Sequence, residues 1–220
     1  MKFKFSILAL FIFVYSLPIF ADENYRVTLL RAAPGNLATL IESTKSYKKV
    51  HQGDPIIMRH SQGDHWDIMI LEPAGKDWMN TQDYNALVSF QHDFLVKSSW
   101  SWKEIKTRAA DAGLFHIEMF HAAAGHEKDI LEQRFMENKY YNATNRPGNV
   151  VFETVFGSDV DNFTVGFYKD LKAFATDPDL SNEVFEKAAT DAGFSSRSDI
   201  GFHLRRFINR HFDTLASHVK

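Results

Sequence analysis

A repeated stretch of twelve residues constrains the fold of this chain more than any other feature. Residues 25–36 read YRVTLLRAAPGN, and 90 residues later residues 115–126 read FHIEMFHAAAGH, so the two stretches align without a gap. In each copy a run suited to a β-strand leads into small residues and a glycine, which predicts a strand, a short turn and the start of a helix. Self-similarity of this kind indicates that the two halves of the chain share one architecture.

The repeat continues beyond the turn. Residues 37–47 and 127–141 have the composition of helices, and each is followed by a glycine-turned hairpin, GDHWD at residues 63–67 and GSDVD at residues 157–161. Short runs rich in β-branched and aromatic residues flank each hairpin and predict its strands. These strands are residues 56–60, 66–71, 150–156 and 163–168.

The remaining segments favour helices. Residues 83–96, 103–112 and 182–192 are predicted helices, and in residues 200–218 apolar side chains recur every three or four positions. Residues 94–102 could hold a further strand, which the pattern leaves open. The predicted fold class is α+β, with two tandem ferredoxin-like (βαββα) repeats, residues 22–113 and 114–220, forming an α/β barrel, plus an extra C-terminal helix.

The first 21 residues have the parts of a secretory signal peptide. Lys2 and Lys4 precede an apolar run that ends near Pro18, and Ala21 is a small residue suited to cleavage. The alternative is an uncleaved anchor helix, for which the run is short. The chain has no cysteine, which excludes disulfides, thiolate metal sites and cysteine nucleophiles. We therefore expect a periplasmic or secreted protein with no membrane span after cleavage.

The charge of the chain also limits its partners. Its formal net charge is −3, and its basic residues form no dense stripe. Proteins that bind nucleic acid usually carry such a basic surface. We therefore expect no nucleic-acid partner.

Strand parity yields the candidate site residues, apart from Arg206 and Arg210, which lie on the predicted last helix. Tyr25, Val27 and Leu29, like their counterparts in the second copy, form an apolar row that we expect to pack beneath the helices. The alternate row would then face a cavity between the two sheets. The predicted catalytic residues on that cavity are His116, Glu118 and Asp67, and the predicted ligand-binding residues are Arg26, His60, His65, Arg206 and Arg210.

These residues leave several kinds of chemistry open. Histidines and carboxylates facing one cavity suit a divalent metal ion, or a general base with a partner that orients it. Equally, a hairpin tip is wet, and an aspartate repeated beside a turn suits turn chemistry. Arg206 and Arg210 lie one turn apart on the predicted last helix, where they would form an anion site or simply a solvated face. His211-Phe212-Asp213 has no spacing that chemistry requires.

The strand that ends in Ala32-Ala33-Pro34-Gly35 or Ala122-Ala123-Ala124-Gly125, together with the glycine-turned hairpin, resembles the dimeric α/β-barrel superfamily. Within it, the chain is similar to NIPSNAP-like and antibiotic-biosynthesis-monooxygenase-like domains. The resemblance implies a barrel closed within one chain or across a homodimer. It also implies a cofactor-independent or metal-assisted monooxygenase-like oxidoreductase acting on a quinone-like aromatic molecule, or a haem protein. The lack of cysteine and of an attachment motif counts against haem.

Two functional hypotheses follow. In the first, the protein binds or transforms a small molecule in a barrel cavity lined by histidine and carboxylates. In the second, it is a non-catalytic interaction or stress-associated protein whose sheet faces are sealed by apolar packing. Trp78, Trp100 and Trp102 would line a pocket mouth under the first hypothesis and belong to the core or an interface under the second.

Overall fold

A computed structural model describes residues 22–51, 54–77, 79 and 82–219, without the side chain of Ser61. The predicted signal peptide, residues 1–21, and Trp78 lie outside these residues. The strands are β1 (Glu23–Ala32), β2 (Ile56–Gln62), β3 (Ile68–Pro73), β4 (Val88–Ser98), β5 (Leu114–Ala122), β6 (Val150–Phe156), β7 (Asn162–Tyr168) and β8 (Ile208–His218). The helices are α1 (Leu37–Val50), α2 (Trp102–Ala110), α3 (Glu127–Ala143), α4 (Leu171–Ala175), α5 (Asn182–Ala192) and α6 (Asp199–Arg205).

The eight strands form one closed antiparallel barrel. Their order around it is β1-β3-β2-β8-β5-β7-β6-β4. We call β1 to β4 with α1 and α2 the first half, and β5 to β8 with the other helices the second half. Pairing of β2 with β8 and of β4 with β6 joins the halves, so the barrel closes within a single chain.

The predicted fold class is therefore wrong. The described residues form a closed eight-stranded barrel with six helices, rather than tandem ferredoxin-like βαββα repeats with an extra C-terminal helix. Two segments account for the error. Most of residues 83–96 belongs to β4, and residues 200–218 comprise the short helix α6 followed by β8. In β8 the apolar side chains happen to recur at a helical spacing, but hydrogen bonding to β2 and β5 on both sides makes the segment a strand.

The repeated twelve-residue stretch forms the strand, turn and helix start that its pattern predicts. Gly35 and Gly125 have φ angles of +84° and +85°, a left-handed conformation that glycine adopts without steric cost. In each copy the register of the strand pairing shifts just before the turn, between Arg31 and Ala32 and again between His121 and Ala122. The repeated sequence thus forms the same irregular strand end in both halves.

The barrel interior is packed with apolar side chains from all eight strands. The row containing Val27, Leu29, Ile117 and Met119 faces this interior and belongs to one buried cluster. At one end, Ile105 and Ala109 of α2 join the same cluster and close the barrel. Removing such side chains from water supplies much of the stability of the fold, at about 1.5–3 kcal/mol for each fully buried large residue. The cavity expected between the sheets is therefore filled by core residues.

The outer face of the barrel lies beneath the helices. Leu40 of α1 packs on Leu30 and its neighbours in the first half, and Ile130 of α3 and Leu204 of α6 pack on Phe120 in the second half. The face assignment made from strand parity is thus inverted: the alternate row, with Arg26 and His116, points outward to the helices. Among the helices described, none is long and apolar enough to cross a membrane.

Candidate functional site

The eight predicted site residues do not meet at one place. Asp67 lies beside the irregular end of β1, where its Oδ2 accepts a hydrogen bond from the backbone N–H of Ala32 at 2.8 Å. His60 packs edge-on against Trp66, with 4.7 Å between ring centroids. Its two ring nitrogens are shielded from solvent and have no hydrogen-bond partner among the described residues.

The predicted arginines are all engaged with carboxylates. Arg26 forms a buried ion pair with Glu72 beneath α1, and its Nε donates to Glu72 Oε1 at 2.9 Å. Arg206 follows the last residue of α6 and donates to Asp199 at 2.9 Å. Arg210 lies in β8, where its Nη2 donates to Asp159 Oδ2 at 2.9 Å. Of the three, only Arg210 lines the cavity described next.

A cavity of about 420 Å³ lies at the end of the barrel opposite α2. We call it the mouth cavity. Leu29 and Met119, the last apolar residues of their rows, form its floor. Its walls combine aromatic, imidazole and charged side chains from both halves, namely Asp64, His65, Phe90, His92, His121, Asp159, Arg210 and Phe212. A concave apolar floor with a few convergent polar groups is the usual form of a small-molecule site.

Each histidine of the mouth cavity has one ring nitrogen held by an oxygen. His121 Nδ1 lies 2.9 Å from the carbonyl oxygen of Asp159, and His92 Nε2 lies 2.6 Å from that of Gly157. Because a carbonyl oxygen can only accept, these nitrogens carry the proton. His65 Nδ1 is held in the same way by the Asp64 carboxylate at 2.6 Å. In the neutral rings, His121 and His65 therefore have a basic Nε2 and His92 has a basic Nδ1.

Aromatic contacts fix the walls of the mouth cavity. The ring of Phe90 meets His65 edge-on at 4.9 Å, and the ring of Phe212 meets His121 edge-on at 5.8 Å. The guanidinium carbon of Arg210 lies 5.6 Å from the centre of the Phe212 ring. These contacts set an imidazole beside a phenyl ring on the wall contributed by each half.

A larger groove of about 740 Å³ runs along the outside of the barrel beside α1. Lys45, Lys48 and Lys49 line it together with Glu42 and Asp54. Most of its lining side chains are long and flexible, and no phenyl ring is among its described lining residues. We therefore take the mouth cavity as the stronger candidate for a small-molecule site.

A second group of titratable side chains lies on the outer face of the barrel beneath α3. Glu118 of β5 and Asp213 of β8 are direct cross-strand partners, and each strand adds a histidine two residues away on the same face, His116 and His211. His116 Nε2 lies 3.4 Å from Asp213 Oδ1, and His211 Nε2 lies 3.1 Å from Asp213 Oδ2. We call these four residues the His-carboxylate cluster.

The protonation of the His-carboxylate cluster reflects its burial. Burial raises the pKa of Glu118, although the guanidinium of Arg134 acts against this rise. The hydrogen bond with His116 lowers the pKa of Asp213. Burial lowers the pKa of His116, but the hydrogen bond to Asp213 and the nearby carboxylates outweigh it, so the net shift is upward. His116 and Asp213 therefore favour the charged ion pair, while Glu118 favours the neutral acid.

Several site residues escaped the sequence-based prediction. His92, in β4, and His211 and Asp213, in β8, lie in segments that were expected to be helical. The signal was present as two His-x-acid pairs, His116-x-Glu118 and His211-x-Asp213, because residues two apart share a face in a strand. His121 belongs to the opposite row of β5, the inward-facing row of Ile117 and Met119, and lies at the barrel mouth.

Comparison with known proteins gives the fold alone. No protein-family profile matches the sequence, and no curated protein matches it. An anthrone oxidase-like protein superposes with a TM-score of 0.58 at 8% identity, over 90% of this chain and 92% of that one. A proposed monooxygenase from Fusobacterium nucleatum gives 0.56 at 10% identity, over 92% and 94% of the two chains.

A proposed chlorite dismutase superposes with a TM-score of 0.54 at 16% identity, over 91% of this chain and 96% of that one. These neighbours belong to the dimeric α/β-barrel superfamily. Their sequences are too different to transfer an activity. The coverage of both chains is nearly complete, so the chain shares its overall fold with these proteins over nearly its whole described length.

Proposed function

We propose that the protein binds a small planar aromatic molecule in the mouth cavity and that His121 takes a proton from it. The observation that carries this proposal is the wall of the cavity. There Phe212 and Phe90 offer ring faces and edges for stacking, and an imidazole with a fixed proton stands beside each ring. Structural similarity to an anthrone oxidase-like protein and to a proposed monooxygenase supports a hydroxylated aromatic ligand.

His121 is the base that this geometry favours. Its Nδ1 proton is fixed on the Asp159 carbonyl oxygen, which leaves Nε2 as the basic nitrogen on a mostly buried ring with 11% of its side chain exposed. Histidine is the side chain that enzymes use most often for proton transfer. Arg210, on the same wall, would stabilise the phenolate that forms when the proton leaves.

The similarity to NIPSNAP-like domains and the formation of a homodimer stay predictions. Export also remains a proposal, supported by the signal-peptide pattern in residues 1–21. N-terminal sequencing of the protein from a periplasmic fraction would test export: a chain beginning near residue 22 is expected, and a chain that retains its first residues would contradict it.

The test of binding is calorimetric titration with hydroxylated planar aromatics, such as an anthrone, against saturated analogues of similar size. We expect saturable binding of the aromatic compounds only. Replacing Phe212 with alanine should weaken binding by about threefold to tenfold, the usual worth of one aromatic contact. Arg206→Ala is the matched control, since Arg206 is an exposed arginine that does not line the cavity.

Proton transfer is tested separately by the absorbance of the bound phenolate. His121→Asn places an amide N–H at the position of Nδ1, where it can still donate to the Asp159 carbonyl oxygen, but removes the basic nitrogen. We expect this variant to bind the ligand without ionising it at neutral pH. If no aromatic ligand binds saturably, or if Phe212→Ala and Arg206→Ala bind equally well, the proposal is wrong.

A further inference from the structure

We infer that His116, Glu118 and Asp213 form a binding site for a divalent transition-metal ion on the outer face of the barrel, separate from the mouth cavity. Each of the three offers one donor atom, and these atoms lie within 4.8 Å of one another. Donors that share an ion at about 2.1 Å lie roughly 3.0–3.4 Å apart. The 3.4 Å between His116 Nε2 and Asp213 Oδ1 already fits this spacing.

The carboxylates around the site suit a cation that displaces the protons bound there. Glu118 and Asp213 face each other directly across the β5–β8 pair, an arrangement that is destabilising for two like charges. Glu137 of α3 brings a third carboxylate, and Arg134 brings a single guanidinium that ion-pairs with Glu118 and Glu137. A bound ion would displace the protons of Glu118 and His116. The three carboxylates and one guanidinium would then leave two negative charges, which a divalent ion would balance.

The carboxylates of the site are already oriented by other side chains. Thr164 Oγ1 donates to Glu118 Oε2 at 3.1 Å, and Arg134 approaches the same oxygen at 3.5 Å, so the described contacts of Glu118 leave Oε1 to bind an ion. His211 holds Asp213 Oδ2 at 3.1 Å, which leaves Oδ1 towards His116. Side chains that fix the unbound oxygen of a ligating carboxylate are a regular part of metal sites.

The first half of the chain provides an internal comparison. The equivalent cross-strand pair there is Thr28 and Asp93, and the Thr28 hydroxyl donates directly to the Asp93 carboxylate. At the position of His116 stands Arg26, which pairs with Glu72. A hydroxyl and a guanidinium thus replace two of the three donors, so the ligand set belongs to the second half alone.

The donor set also indicates which ions fit. One imidazole and two carboxylates suit Zn²⁺, Fe²⁺, Co²⁺ or Mn²⁺, whereas copper(I) prefers thiolate or thioether donors and Ca²⁺ prefers oxygen alone. Three protein donors leave further coordination positions for water or another small ligand. Co²⁺ is the most informative probe because its visible absorption reports the number and type of its ligands.

The experiment is a Co²⁺ titration of the full chain after dialysis against a chelator, followed by visible absorption and by thermal unfolding. We expect one equivalent of Co²⁺ to bind, with a visible band and a raised Tm, because an ion that binds only the folded state stabilises it. His116→Ala and Asp213→Asn should abolish the band. His211→Ala should lower the affinity about 10-fold to 100-fold, as expected for a residue that orients a ligand.

Asp93→Asn is the matched control, because it makes the same change at the equivalent position of the first half. It should bind Co²⁺ like the wild type. Glu118→Gln is nearly isosteric and should also lose the Co²⁺ band. It tests the metal site if another variant fails to fold. The inference is overturned if the wild type gives no saturable band and no Tm shift, or if binding survives in the Glu118→Gln variant.

Discussion

Asp67 and Asp161 perform the same structural task in the two halves of the barrel. Asp67 Oδ2 accepts a hydrogen bond from the N–H of Ala32 at 2.8 Å, and Asp161 Oδ2 accepts one from the N–H of Ala122 at 2.6 Å. Each N–H lies where the strand pairing shifts register, so the strand ladder does not satisfy it in the regular way. The repeated aspartate therefore secures the irregular end of the first strand in each half.

This relationship predicts equal and independent costs for the two aspartates. Replacing either one with alanine leaves a backbone N–H without its acceptor, and we expect each to lower the free energy of unfolding by about 1–3 kcal/mol. The two sites do not touch, so the double variant should show the sum of the single effects. Urea unfolding of the three variants measures this. A negligible cost at one site would contradict the shared role.

Because Arg26 and Glu72 form a buried ion pair, we expect replacing one of them to lower the free energy of unfolding more than replacing both. Glu72 also accepts a hydrogen bond from Tyr47, and His51 Nε2 lies 2.9 Å from its Oε2. Only 2% of the Glu72 side chain is exposed. Glu72→Gln should cost about 3–5 kcal/mol, because it leaves a buried guanidinium without its counter-charge. The double variant Arg26→Met with Glu72→Leu should recover most of that loss. Urea unfolding checks both; a double variant less stable than Glu72→Gln would contradict this account.

His60 predicts a specific dependence of stability on pH. Burial lowers its pKa below the ordinary value of 6.5, and this effect outweighs the charges of Asp67 and Asp64. As the pH falls below 6.5, His60 takes up a proton more readily in the unfolded chain than in the folded chain. The free energy of unfolding therefore falls until the pH reaches the lowered pKa of the folded state, and then levels off.

His60→Phe keeps an aromatic ring against Trp66 and removes this titration. The variant should therefore gain stability relative to the wild type as the pH is lowered from about 7 to about 5. Urea unfolding at several pH values measures the difference. A constant difference across the range would show that His60 is not responsible.

We expect truncation of an inward-facing side chain of β6 to lower the free energy of unfolding far more than truncation of an outward-facing one. Phe152 is fully buried in the barrel and stacks on Phe163 with 4.6 Å between ring centroids. Phe152→Ala should lower the free energy of unfolding by about 3–5 kcal/mol. Val155→Ala is the control on the same strand, where the side chain is 49% exposed, and it should change stability by no more than about 0.5 kcal/mol. Comparable costs at both positions would contradict the packed interior.

Much of the local structure could be predicted because it depends on local signals. Gly35 and Gly125 mark turns with positive φ, and the alternation along residues 25–30 places Val27 and Leu29 on one face. Which face of β1 is the interior could not be predicted, because both of its faces are covered. Val27 meets the barrel core, and Arg26 meets α1 through Glu72 and Tyr47, so both are buried. Alternation between apolar and polar residues then identifies two faces without saying which is inside.

The candidate sites could be predicted only in part for a related reason. His116 and Glu118 stand on a strand that the repeat identifies, whereas their partner Asp213 stands on β8, where the spacing of Leu204, Ile208, Phe212 and Leu215 imitates a helix. The cross-strand contact of Glu118 with Asp213 arises only when the barrel closes. Long-range pairing of this kind leaves no local signal in the sequence.

The position of β8 between β2 and β5 also bears on how the chain reaches its native state. Asp64, just after β2, contacts Thr214 of β8 across 150 residues of chain, so this seam forms only after nearly all of the described chain is available. Until then β2 and β5 each present an unpaired edge, which is the part of a sheet most prone to join a wrong neighbour. Contacts this distant along the chain slow folding. The protein is therefore most prone to aggregate during folding, before β8 pairs with β2 and β5 and completes the barrel.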